Sequence, residues 1–218
     1  MSREQYDQQL RSLHDDLLRL ASLVEAAINR AVLALMDQDV DAARGIITDD
    51  DRIDRRQYAL EDRALSLIAR QAPVATDLRL ISAVISIAAE LERMGDYAEG
   101  IAEITIRGAE QPLLKPLVDI PCMAQAAQRM LREALDAFVN RDAEAARQLA
   151  AADDEVDALT TQIQNELLAV VVREPRQIER ALNLFFVAHN LERIADRATN
   201  IGERVIFLVT GQIIELTR

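Results

Sequence analysis

The spacing of the apolar residues constrains this chain more than any other feature. Leu10, Leu13, Leu17, Leu20, Val24, Ala27 and Ala31 follow steps of three and four, the seam of a helix packed lengthwise against others. Comparable patterns continue almost to the end. They break at Asp37-Gln38-Asp39, Ala72-Pro73, Arg107-Gly108, Asn140-Arg141-Asp142 and Glu174-Pro175. The stretch QPLLKPLVDIP (Gln111 to Pro121) holds three of the five prolines, a density that no helix interior accepts. It reads as a connection between halves. Trp is absent and only 3% of residues are aromatic, which argues against β structure.

Internal repetition sharpens this division. QDVDAARGIITDDDRID (Gln38 to Asp54) matches RDAEAARQLAAADDEVD (Arg141 to Asp157) at an offset of 103, and LERMGD (Leu91 to Asp96) matches LERIAD (Leu191 to Asp196) at an offset of 100. The expected fold is all-α: two tandem antiparallel three-helix bundles, six long helices related by an internal repeat. The first bundle is expected over 1–110, the proline-rich connection over 111–121 and the second bundle over 122–218.

Half of the 218 residues are hydrophobic, enough for a substantial core. A net charge of −12 repels phosphate backbones and anionic lipid, arguing against nucleic acid and an electrostatic hold on membranes. No apolar run approaches a membrane span and MSREQYDQQL lacks a signal-peptide core, so the expected compartment is the cytoplasm. The single cysteine, Cys122, is expected to be a small buried residue, and His14 an exposed one.

The acids carry the functional signal. Asp54 precedes Pro73 by 19 residues and Glu92 follows it by 19; Asp50 and Asp96 are each 23 away. On antiparallel helices of equal rise, equidistant residues stand level. Asp50 should therefore face Asp96, and Asp54 should face Glu92. In the second copy Asp153 pairs with Asp196 and Asp157 with Glu192, both pairs centred between Glu174 and Pro175. Each pair on one helix is spaced i, i+4 and shares a face. Each bundle is thus expected to gather four carboxylates about one hairpin.

Like charges at this spacing cost about 0.2–0.5 kcal/mol per pair in water. Neutralisation by Arg93 and Arg193 is disfavoured, because each directly follows its Glu and points about 100° round the helix. Solvation is the common fate of surface acids. A bound cation is the third remedy, since hard metals favour oxygen clusters. The symmetric recurrence favours metal. An all-carboxylate set suits Mg, Ca, Mn or ferric iron better than Zn, with the identity left open among Fe, Mn, Mg or Zn. Glu99, Glu103, Asn200 and Glu203 are candidate additional ligands, while His189 reads as a core or hydrogen-bonded residue.

The doubled L-E-R-[MI]-[GA]-D, the upstream D-x-x-x-D motifs and QAPVATDLRLISAVISIAAELERMGDYAEGIAE closely resemble the PhoU family, over essentially the whole chain. The resemblance implies two three-helix bundles, a homodimer, and metal clusters held through E/D-x-x-x-D motifs. It makes Glu92, Asp96, Glu192 and Asp196 the metal-facing acids, with Asp50, Asp54, Asp153 and Asp157 as partners. Asn200 matches the Asn that often follows the motif. Gly100 stands in its place in the first copy, with Glu99 as a substitute ligand, and Ala195 replaces the usual Gly. The implied role is negative regulation of phosphate uptake and phosphate-starvation signalling, as a metal-binding adaptor between the ATPase of a phosphate ABC transporter and a sensor histidine kinase.

Two other readings compete. A di-iron carboxylate (ferritin-like) oxidase uses Glu-x-x-His motifs, yet no Glu here precedes a His by three and there are two histidines in all. The second is a metal-free helical adaptor whose acids form a solvated face. No nucleophile elbow, phosphate-cradling glycine loop or Cys/His pair placed for attack is present, so no enzymatic activity is expected.

Overall fold

Each interruption in the pattern ends a helix. The computed structural model describes residues 3–216, and they form α1 (Arg3–Asp37), α2 (Val40–Gln71), α3 (Ala75–Gly108), α4 (Asp119–Asn140), α5 (Ala143–Arg173) and α6 (Ile178–Thr210). A 3-10 turn, Pro175–Gln177, leads into α6. No strand occurs among the described residues. Helix α1 packs on α2 and α3, and α4 packs on α5 and α6. The two bundles lie side by side, with α3 against α6 and α1 touching α4, around one continuous core.

The repeated DxxAAR segments begin with N-caps. The Asp39 carboxylate accepts from Ala42 N–H at 2.9 Å, and the Asp142 carboxylate accepts from Glu144 and Ala145 N–H at 3.0 Å. Both satisfy donors that a helix start leaves free. The residue before each cap turns left-handed, with Gln38 and Arg141 both at φ 52°. Left-handed backbone strains a residue that carries a Cβ. Arg141→Gly is accordingly expected to stabilise the chain by about 0.5–1 kcal/mol. Thermal denaturation should show a rise of roughly 1–4 °C. Gln38 offers no such clean test, because its side-chain amide donates to Gln111 O at 2.7 Å.

Four expectations are corrected. Helix α4 starts at Asp119, within the stretch read as connection, and Pro121 sits in its first turn, where a missing N–H leaves no bond unmade. Lys115 holds the end of the connection, bonding Asp119 at 3.2 Å and also Glu166. Cys122 is exposed, because α4 buries Ile120, Met123, Ala124, Ala126 and Ala127 and turns position 122 outward. His14 is half-buried and stacks on Phe138 of α4 with ring centroids 5.3 Å apart. In the α1 seam, Ile28 is fully buried while Ala27 is only partly so; contacts to α2, α3 and α4 widen the apolar face beyond a two-helix seam.

Helices α3 and α6 pack against each other along the junction of the two bundles. Gly100 belongs to this interface: a Cβ there would lie 2.9 Å from Asn190 Nδ2 of α6. A polar tie crosses the same surface. Glu90 of α3 accepts from Arg197 at 3.2 Å and from Asn200 Nδ2 at 3.0 Å, both on α6, and pairs with Arg93 at 3.5 Å.

Candidate metal centre

Helices α2 and α3 bring the first set of acids together in two overlapping groups. Asp50, Asp96 and Glu99 form one, and Asp54, Glu92 and Asp96 form the other, with one carboxylate oxygen from each member within 4.8 Å of the others in its group. The level pairing of Asp50 with Asp96 and of Asp54 with Glu92 is the register that equal spacing from Pro73 dictates. Asp96 is common to both groups. Gly95 allows the close approach: a Cβ there would meet Asp50 Oδ1 at 3.0 Å and Ile53 Cδ1 at 3.1 Å.

The arrangement resists ionisation. Burial, then the charges of Glu99, Asp54, Asp96 and Glu92, push the Asp50 carboxyl up to about 7. Burial is also the first cause of upward shifts at Glu92, Asp96 and Glu99, followed at each by neighbouring acids. Among the described residues no arginine bonds to these groups: Arg93 turns back to Glu90, and its charge only partly offsets the upward shifts at Glu92 and Asp96. One atom stands out. Asp54 Oδ1 is buried and has no hydrogen-bond partner, and a buried carboxylate oxygen in that state is costly unless a proton or a cation satisfies it.

The second bundle is arranged differently. Asp153 is buried, 5% exposed, and burial followed by Asp157, Asp196, Asp154 and Glu192 pushes it up to about 6. Burial also raises Asp157. Yet among the described residues no three acids here meet the 4.8 Å spacing. Arg193 supplies the reason, and corrects the expectation that it faces away: its Nη1 lies 2.5 Å from Asp196 Oδ2, an i, i+3 contact that its long side chain reaches. Asp196 is nonetheless shifted upward, because burial outweighs the attraction of Arg193. His189, 48% exposed rather than in the core, holds Glu192 through Nδ1 at 3.1 Å. In the first copy Ala89 occupies that place.

The additional candidates divide. Glu99 joins the first group, while Glu103 is exposed one turn beyond it. Asn200 is turned to α3 and committed to Glu90. Glu203 accepts from the backbone N–H of Leu216 at 2.9 Å, holding the segment after α6. Glu90 and its pairing with Arg197 escaped the sequence reading, which took Arg197 only as an arginine close in sequence to the acids. Their signal was weak, since a Glu at the head of ELER looks like one more member of the acidic face.

The model for the PhoU domain matches this chain twice, over residues 17–105 and 120–205. The chain belongs to the PhoU family. Its repeat is the PhoU domain itself, duplicated. It is 40% identical over 207 residues to a phosphate-specific transport system accessory protein PhoU homolog of Aquifex aeolicus, covering 95% of this chain and 94% of that one. A homolog of the same description from Clostridium acetobutylicum is 37% identical over 217 residues, covering 99% of each. Among solved structures, PhoU from Pseudomonas aeruginosa superposes with a TM-score of 0.90 at 35% identity, covering 95% of this chain and 100% of that one. The phosphate transport system regulatory protein PhoU from Streptococcus pneumoniae gives 0.88 at 30%, covering 96% and 99%. These PhoU descriptions are of accessory and regulatory proteins, not enzymes. No helix among the described residues is long and apolar enough to cross a membrane.

Proposed function

We propose that this PhoU-family chain is a cytoplasmic, homodimeric negative regulator of phosphate uptake and phosphate-starvation signalling. It acts as a metal-dependent adaptor between the ATPase of a phosphate ABC transporter and a sensor histidine kinase. Full-length similarity to phosphate-specific transport system accessory proteins supports the regulatory part. The partnerless, buried Asp54 Oδ1 carries the metal part. It lies in an oxygen-only group that a hard cation would satisfy.

Two overlapping groups that share Asp96 fit two adjacent ions, with Asp50 and Glu99 on one and Asp54 and Glu92 on the other. Oxygen donors alone favour Mg, Mn or Fe over Zn. Asp153, Asp157, Glu192 and Asp196 form the weaker second centre, because a cation must first displace Arg193 and His189. Bound ions would hold α2 against α3 and offer positive charge on an acidic surface.

Elemental analysis of the chain, purified without chelator, tests the metal. Asp96→Asn should empty the first bundle of metal, and Asp54→Asn should remove about half of its content. Retention of full metal content by Asp96→Asn would sink the shared-ligand arrangement. Pull-downs from cells grown with and without phosphate test the partners, and loss of transporter and kinase capture from both cultures counts against the adaptor. The oxidase reading predicts oxygen consumption on adding ferrous iron, and none is expected.

A further inference from the structure

The tip of the second hairpin exposes more apolar surface than its fold requires. On α6, Ile178, Leu182, Phe185 and Phe186 are exposed, and at 100° per residue they fall within about 100° of the helix circumference. Leu168 and Val172 of α5, also exposed, stand i, i+4 on one face, and α5 packs on α6. The face runs on into the acids: Asp157 precedes Leu168, and Asp196 follows Phe185, by eleven residues, about three turns.

The first bundle supplies the comparison. At the offset of 100 that relates the repeats, Leu182 and Phe186 correspond to Ser82 and Ser86, and Phe185 to Ile85, which packs partly buried against the core. Serine therefore serves the same two places in the same fold. The exposed leucine and phenylalanine of α6 answer to something outside the bundle.

Area and charge say what covers them. The six side chains are 37 to 73% exposed; at roughly 150–200 Å² of full surface for each, they leave about 500–600 Å² of apolar surface. A stable dimer buries about 800 Å² per partner, its rim polar. The chain carries −12, yet residues 167–191 hold three arginines and two glutamates, a net of +1 that leaves −13 elsewhere. A second copy of so acidic a chain is repelled from most of this surface and admitted here. The ends of the stripe are also complementary. Arg176, exposed, precedes Ile178, and Glu192 follows His189.

We propose that this α5–α6 tip is the surface through which two copies of the chain associate, antiparallel about a two-fold axis between Leu182 and Phe185. It rests on the homodimer of the proposed function and gives that homodimer its location. Such an isologous contact sets Leu182 of each copy against the partner's Phe185. It also brings Arg176, within one residue of level, to the partner's Glu192. Phe185 and Phe186, edge to face with centroids 5.9 Å apart, are the aromatic anchors.

Sedimentation equilibrium of the full-length chain, chelator present, tests the surface. Wild type should sediment at twice the chain mass at micromolar concentration. Leu182→Ser/Phe186→Ser, which installs the serines of the first bundle, should weaken association at least a hundredfold, since each change occurs twice in a dimer. Arg176→Glu should weaken it about tenfold. Leu65→Ser, exposed on the first bundle, should leave it unchanged. Arg176 sits exposed in a turn, so its variant decides the matter where the double variant misfolds. A dimer of wild-type affinity in Leu182→Ser/Phe186→Ser or in Arg176→Glu overturns this interface and leaves the homodimer standing. A wild-type chain that is monomeric at about 100 μM overturns both. Association only after metal is restored would place the contact at the acids and overturn the interface alone.

Discussion

Glu90→Ala is expected to cost about 3–5 kcal/mol of stability, roughly 6–20 °C in melting temperature. Glu90 and Arg197 are only 15% and 12% exposed at their side chains, so little solvent screens them. Removing the carboxylate leaves Arg197 buried without its counter-charge, its Nε already lacking a partner. Asn200 loses its acceptor and Arg93 its ion pair in the same step. The cost of an uncompensated buried charge, rather than the worth of the bridge, sets the size of the effect. Glu90→Ala/Arg197→Ala should therefore recover part of the loss, and a double-mutant cycle measures the coupling. A loss below about 1 kcal/mol for Glu90→Ala would show the tie to be an ordinary surface pair. The tie joins α3 to α6, so its loss should also loosen the bundles against each other, visible as faster amide exchange along that interface.

Why that tie escaped the sequence while the acidic groups did not is a matter of range. Helix ends were legible because their causes are local: Asp39 and Asp142 cap the starts of α2 and α5, and Pro73 and Pro175 stop those same helices at their far ends. The pairing of Asp50 with Asp96 was legible because two helices about one short turn leave a single register. Glu90 and Asn200 meet only because α3 lies antiparallel to α6 across the bundle junction, and nothing in the linear spacing states that. The contrast between the two copies was hidden in long side chains. Arg193 follows Glu192 and so points away from it, yet reaches Asp196 three residues on. Residue 95 shows the same limit from the other side. A glycine there gives Asp50 its place, and the alanine at 195 is one methyl of difference whose consequence appears only once the helices are packed.

The acids of the first bundle are also expected to make the stability of the chain depend on pH, in opposite directions with and without added metal. The Asp50 carboxyl is held at about 7, first by burial and then by neighbouring acids, against about 3.9 in an unfolded chain. Below about pH 4 both states are protonated and the acid costs nothing. As pH rises toward 7 the unfolded chain ionises freely and the folded one does not, so stability is lost across that interval. Asp153, held at about 6, adds a narrower interval of the same sign. Metal-stripped protein should thus melt higher at pH 5 than at pH 8, by about 2–4 °C for each kcal/mol recovered. Metal-loaded protein should do the reverse, since ligands must be deprotonated and protons compete with the ion. Calorimetric scans across this range, with and without chelator, should give two curves that converge near pH 5 and separate most at pH 8. Asp50→Asn should flatten the stripped curve and reduce the gain from metal. A stripped protein that melts lower at pH 5 than at pH 8, with Asp50→Asn following it, would mean that these carboxylates are solvated singly and that no cation is needed between α2 and α3.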